Sequence, residues 1–135
     1  MKPYGAQTWD TQIKNAEDAL SSVKLQRSQW EHVEPEFPCR LVTGTSSRLI
    51  IFDIDDLPQA RALMRHVFGS WNDTLGNRWY SCGMAITSWH SKDQDCEIWL
   101  ECKVDDYPAE LAGEHCKWIE RGQKDYAFVC ERGEG

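Results

Sequence analysis

Long apolar runs are missing from this 135-residue chain, which nowhere approaches the roughly 20 consecutive apolar residues of a membrane helix, so no membrane span is expected. The opening MKPYGAQTWD lacks the apolar stretch of an export signal, so no secretory signal is expected either. There is no CxxC pair, no GxSxG elbow, no P-loop and no GxGxxG fingerprint, which removes the usual sequence routes to a thiol-redox, serine-hydrolase, nucleotide-phosphate or dinucleotide site. Repeats and low-complexity tracts are absent too. What is present is ordinary for a soluble globular protein: 41% hydrophobic and 27% charged residues, in a length that suits one domain with a real core. The expected organisation is a single domain over 1–135, with a helical extension at 1–35 and an α+β core at 39–131.

Six cysteines are scattered among apolar residues, as in YSCGMAI, DCEIWLEC and AFVC. Free cysteine packs as a small buried hydrophobe, and without export the thiols are expected to stay reduced in a cytoplasmic setting. A disulfide framework or a zinc site fits less well. The adjacent His115 and Cys116 point in different directions on a helix.

Basic residues are scarce in one place. Residues 93–114 hold eight acids (Asp93, Asp95, Glu97, Glu101, Asp105, Asp106, Glu110, Glu114) against Lys103 alone. The other 113 residues carry 14 acids and 14 bases, so this window accounts for the whole net charge of −7. Such a patch disfavours direct contact with nucleic acid and favours a basic partner.

Residues 10–30 space Ile13, Ala16, Leu20 and Val23 by threes and fours, with Trp30 seven residues further on the same face, which predicts an amphipathic helix capped by Thr8 or Asp10. EPEFP breaks it. CRLVTGTSSRLIIFDID reads as a hairpin, and DDLPQARALMRHVFGSW as a helix with Pro58 in its first turn. RWYSCGMAITSWHS and DCEIWLECKVD read as two strands, YPAELAGEHCKWIE as a helix capped by Asp106, and KDYAFVCE as a closing strand. After the first helix and the short strand 39–43, the order is β-α-β-β-α-β. That is a ferredoxin-like antiparallel sheet with helices on one face.

Turn 91–95 would place His90 opposite Cys96, Ile86 opposite Leu100 and Thr87 opposite Trp99. The face away from the helices would then carry Trp79, Trp89 and Trp99 among small residues. The N-terminal helix is the expected cover for that face, and self-association its alternative.

Asp53 and Asp55 in RLIIFDIDDLPQ have two readings. In one, Asp53 closes a strand while Asp55 and Asp56 cap the next helix. In the other, two carboxylates on one side of a strand hold Mg²⁺ or Mn²⁺. For the second reading, Asp53 and Asp55, with Ser88 and His90 of TSWHS and with Asp105, resemble the acid-pair, small-x-His and third-acid pattern of archaeo-eukaryotic primases. The resemblance implies two metal ions held by Asp53, Asp55 and Asp105, His90 on a nucleotide phosphate, and phosphoryl transfer.

The function expected first is non-catalytic binding of a protein partner with a basic surface. The contact would be Trp99 flanked by Glu97 and Glu101, with Trp89, Asp105 and Asp106 around it: apolar burial for affinity, charge for steering. In size and acidity the chain is similar to small accessory proteins of phages, many of which inhibit host enzymes or defence complexes. No cofactor is expected under this reading. The alternatives are the Mg²⁺- or Mn²⁺-dependent enzyme and a homo-oligomer that binds a small ligand between subunits.

Overall fold

A computed structural model describes residues 8–44, 46–123 and 125–131 of the chain. Helix α1, Trp9–Trp30, starts where Thr8 accepts a hydrogen bond from the Thr11 amide at 3.1 Å, so Thr8 is the cap. Strands β1 (Cys39–Val42) and β2 (Ser47–Ile51) form the expected hairpin. A 3₁₀ turn at Ile54–Asp56 then enters α2 (Leu57–Phe68), which ends at Gly69 with a left-handed φ of 83°. Strands β3 (Asp73–Ser81), β4 (Met84–Ser91) and β5 (Cys96–Cys102) follow. After another 3₁₀ turn and the one-turn α3 (Ala109–Ala112) come β6 (Cys116–Glu120) and β7 (Tyr126–Cys130).

This is a mixed α+β fold with an N-terminal helix, but its order departs from β-α-β-β-α-β at two places. The single strand expected over RWYSCGMAITSWHS is instead the end of β3 and all of β4, folded back at Cys82–Gly83 with φ of 52° and 81°. Paired positive φ values make the tight turn that suits strand twist. The second core helix expected over 107–120 stops after one turn, at Gly113 with φ 78°, and β6 forms beyond it. One five-stranded sheet results, in the order β1-β2-β5-β4-β3, with β2 and β5 parallel and the other neighbours antiparallel. The β6–β7 hairpin is separate from it.

The β4–β5 register differs by one residue from the expected one: Ser88 faces Trp99, Thr87 faces Leu100 and His90 faces Glu97. A one-residue slip moves side chains to the opposite face. Trp89 therefore lies not beside Trp99 but in the core, 3% exposed, with Leu49, Ile51, Ile98 and Leu100. Leu57, Ala60 and Met64 of α2 cover one part of this core face, joined by Trp30 and Trp71. The other part lies under the hairpin. Tyr107, Trp118 and Phe128 pack ring to ring there, and the Tyr107 hydroxyl meets Thr87 Oγ1 at 2.7 Å.

Helix α1 does not cover the second sheet face. It touches the fold on the α2 side, with Trp30 edge-on to Phe68 at 6.0 Å between centroids. Gln26, also buried, bonds the backbone of Gly44 and the Ser47 hydroxyl.

Cys116 and Cys130 are joined by a disulfide, so the expectation that all six cysteines stay reduced does not hold for this pair. They are direct cross-strand partners in the hairpin, a placement the helix reading of 107–120 had hidden. The cysteine pattern thus stops arguing for a reducing compartment. Reduction of this bond, or Cys116→Ser with Cys130→Ser, is expected to lower stability by about 3 kcal/mol for a loop of this length. Urea unfolding with and without reductant measures it, and hydrogen exchange should show protection lost first in residues 116–130.

Candidate functional site

The uncovered sheet face is built by alternate residues of all five strands. Trp99 stands at its centre. The Arg48 guanidinium lies over its ring at 3.7 Å from the centroid, and Trp79 meets it edge-on at 4.7 Å. Its indole N–H donates to Glu97 Oε2 at 2.6 Å. Glu101 faces Arg40 at 3.8 Å. Beneath these side chains Ile50 and Ile86 are 2% and 5% exposed. Trp79 reaches this face because β3 is bulged between Leu75 and Arg78. Gly76 permits the bulge: a Cβ there would come within 2.7 Å of Ser88 Oγ. Ser88 Oγ in turn accepts from the Asn77 amide at 3.1 Å.

The structure thus brings Trp99, Glu97 and Glu101 together, as expected, but adds Arg40 and Arg48 from the neighbouring strands. Charge counted along the chain is acidic around Trp99; charge counted across the sheet is close to balanced. Trp89 is on the other face, and Asp105 and Asp106 lie beyond the end of β5.

Of the acids of DIDD, only Asp53 makes a capping bond. Strand β2 ends at Ile51, so Asp53 and Asp55 do not share one side of a strand. Asp53 caps the 3₁₀ turn, its Oδ1 accepting from the Asp55 amide at 2.9 Å. Asp56 occupies the position before α2 and makes no side-chain cap bond. His90 sits in the strand row of Glu97 and Arg48. Asp53 is five residues further along β2, about 16 Å at the usual strand rise. Asp53 and Asp55 are therefore not brought to His90, whose Nε2 lies 3.3 Å from Thr74 Oγ1. Among the described residues no three His, Cys, Asp or Glu side chains are grouped to hold a metal ion.

Acidity collects instead at the carboxyl ends of the parallel pair β2 and β5, the place where sheets with parallel strands leave a crevice. A cavity of about 430 Å³ opens there, lined by Phe52, Asp53, Glu101 and Asp106 with Lys103 and Met84. Phe52 is 45% exposed. The exposed Asp55 and Asp105 lie in the two adjoining 3₁₀ turns. Cys102 also borders the cavity while belonging to the core cluster; burial, reinforced by Asp106, pushes its thiol up to about 11, so it stays protonated. Sequence reasoning missed Phe52 because it continues the run LIIF and reads as one more core residue.

No family model matches the chain, and neither does any curated protein or solved structure.

Burial lifts the Cys96 thiol to about 12, with the Glu97 and Asp95 carboxylates adding to it, from an ordinary value of 9.0. The folded protein holds the protons of Cys96 and Cys102 where the unfolded chain releases them. Their contribution is complete below 9.0 and is lost as pH rises through about 11 to 12. Urea midpoints measured from neutral pH upward are expected to fall above about pH 9. A thiol reagent at neutral pH should label the exposed Cys82 first, and Cys96 and Cys102 only after unfolding.

Proposed function

We propose that this protein binds a basic protein segment in the crevice at the carboxyl ends of β2 and β5. The observation that carries the reading is Phe52, 45% exposed in a cavity lined by Lys103 and three carboxylates, of which Glu101 faces Arg40 while Asp53 and Asp106 have no cation partner within salt-bridge distance among the described residues. An exposed aromatic ring gives an apolar side chain of the partner something to bury against. The carboxylates steer Lys or Arg toward it and are repaid when those cations replace water. The same charges oppose a phosphate backbone. A protein held this way would cover a basic groove on its partner, which is how an inhibitor of a nucleic-acid-binding protein acts.

The anchor differs from the one the sequence suggested. Trp99 already has a cation on its ring, an indole on its edge and a carboxylate on its N–H. A partner would have to displace these contacts to use it. Phe52 offers its ring at no such cost.

The test is affinity capture with three baits: wild type, Phe52→Ser and Asp106→Lys. A basic protein kept by the wild type and lost from both variants is expected. Its Kd should rise about 30-fold for Phe52→Ser, the effect of removing an interface anchor, and should weaken with added salt. Equal retention by all three baits would place the contact elsewhere and overturn the reading. Phe52 and Asp106 lie outside the buried core, so neither change is expected to unfold the sheet.

A further inference from the structure

From the exposed length of α1 and a groove beside it, we infer that this chain forms a two-fold dimer through antiparallel α1 helices. Nothing between Trp9 and Leu25 is buried, although the helix is continuous from Trp9 to Trp30. Only Gln26 and Trp30 are buried in the fold. Seventeen residues of helix with so little packing are marginal in water. Their apolar side chains are not scattered. Trp9, Ile13, Ala16, Leu20 and Val23 alternate in steps of four and three, the spacing of a two-helix seam. Trp9 is 79% exposed, Ile13 53%, Leu20 54% and Val23 49%.

Two observations select a second copy as the occupant. The first is charge. The half of α1 up to residue 18 carries Asp10, Glu17 and Asp18 against Lys14, whereas residues 19–27 carry Lys24 and Arg27 and no acid. Antiparallel helices set Asp10 of each against Lys24 of the other, with Glu17 meeting its own copy at the two-fold axis; parallel ones set like against like at all three positions. Arg27 also pairs with its own Glu31 at 3.1 Å on the surface, so Lys24 is the cation of this half left for the second copy. The second is shape. A mainly apolar groove of about 470 Å³ runs between α1 and the β1–β2 turn, lined by Ala19, Ser22, Val23 and Gly44 with Asn15 and Asp18 at α1. Gln26 fixes its far wall through both hydrogen bonds to the Gly44 backbone. Antiparallel pairing carries Trp9 of each copy toward this groove on the other, the reciprocal contact that a two-fold interface requires. Asp10 then falls beside Lys24 of the second copy.

The dimer leaves the rest of the molecule free. Helix α1 joins the fold near Ser47, at the start of β2, while the acidic crevice lies past its end. The two crevices therefore point away from the shared seam, and their charges do not oppose pairing strongly.

The contact is at the small end of specific interfaces, below about 1,200 Å² in total, which fits micromolar dissociation. Sedimentation equilibrium of the full chain through the micromolar range is expected to show a reversible monomer–dimer equilibrium. Trp9→Ala and Leu20→Glu should each leave monomer, with near-ultraviolet circular dichroism of the core unchanged in the second. Lys24→Glu should weaken the dimer at least tenfold, and Asp10→Lys added to it should restore much of the loss. A chain monomeric at every concentration would overturn the inference. So would a dimer indifferent to Trp9→Ala and Leu20→Glu, or a charge reversal that the second reversal does not rescue.

Discussion

The pairing of β4 with β5 decides what every other part of this molecule can be. With Trp89 opposite Ile98 and Ser88 opposite Trp99, one indole enters the core and the other stays on the far face. A slip of one residue that turned β5 over would put both indoles on the core face. Large apolar side chains would then stand where Arg40 and Arg48 reach across, and Glu97 and Glu101 would be driven under α2. Burying those carboxylates without partners costs several kcal/mol each, far more than the register could recover elsewhere. Cys96, Ile98, Leu100 and Cys102 alternate with Glu97, Trp99 and Glu101, and that alternation holds the register in place.

What could be read from the sequence follows the range of the signal. Helices α1 and α2, the Thr8 cap of the first, Pro58 in the first turn of the second and the alternation of β5 are local patterns that the structure has; the cap read for Asp55 or Asp56 makes no side-chain bond. The turn at Cys82–Gly83 was hidden because cysteine is a rare residue at a positive φ, so YSCGM passes for the middle of a strand. Strand β6 was hidden because Ala109, Leu111 and Ala112 open a helical pattern that Gly113 ends after one turn. Its partner, Cys130, is 14 residues away, and spacing alone does not choose among cysteine pairings. Most instructive is Trp99. The acids beside it are neighbours in sequence, while the arginines that answer them come from residues 40 and 48, beyond the reach of any window. Of the candidate site, its acids Asp53, Glu101 and Asp106 were legible as acidic residues; their convergence on Phe52 was not, because it depends on β2 stopping at Ile51.

The sheet thus has two unlike ends. At the start of β2 and β5 lie small polar residues, Asp93 and Asp95, and the foot of α1, which neutral hydrogen bonds hold. At their finish lie carboxylates, one lysine and an exposed ring. A parallel pair at the centre of an otherwise antiparallel sheet produces this polarity. It sends both chain crossings to the same end, and with them the two 3₁₀ turns that carry Asp55, Asp56, Asp105 and Asp106.

The β6–β7 hairpin has a consequence for how the chain is made. Translation delivers β3, β4 and β5 before residues 116–130, so the sheet can pair while half of its inner surface still has no cover. Thr87 and Arg78 then face water, with neither the Tyr107 hydroxyl nor the Phe128 ring in its final place. During that interval the nascent sheet offers a second face to bind, one that the finished protein seals with aromatic rings and closes with a covalent clasp.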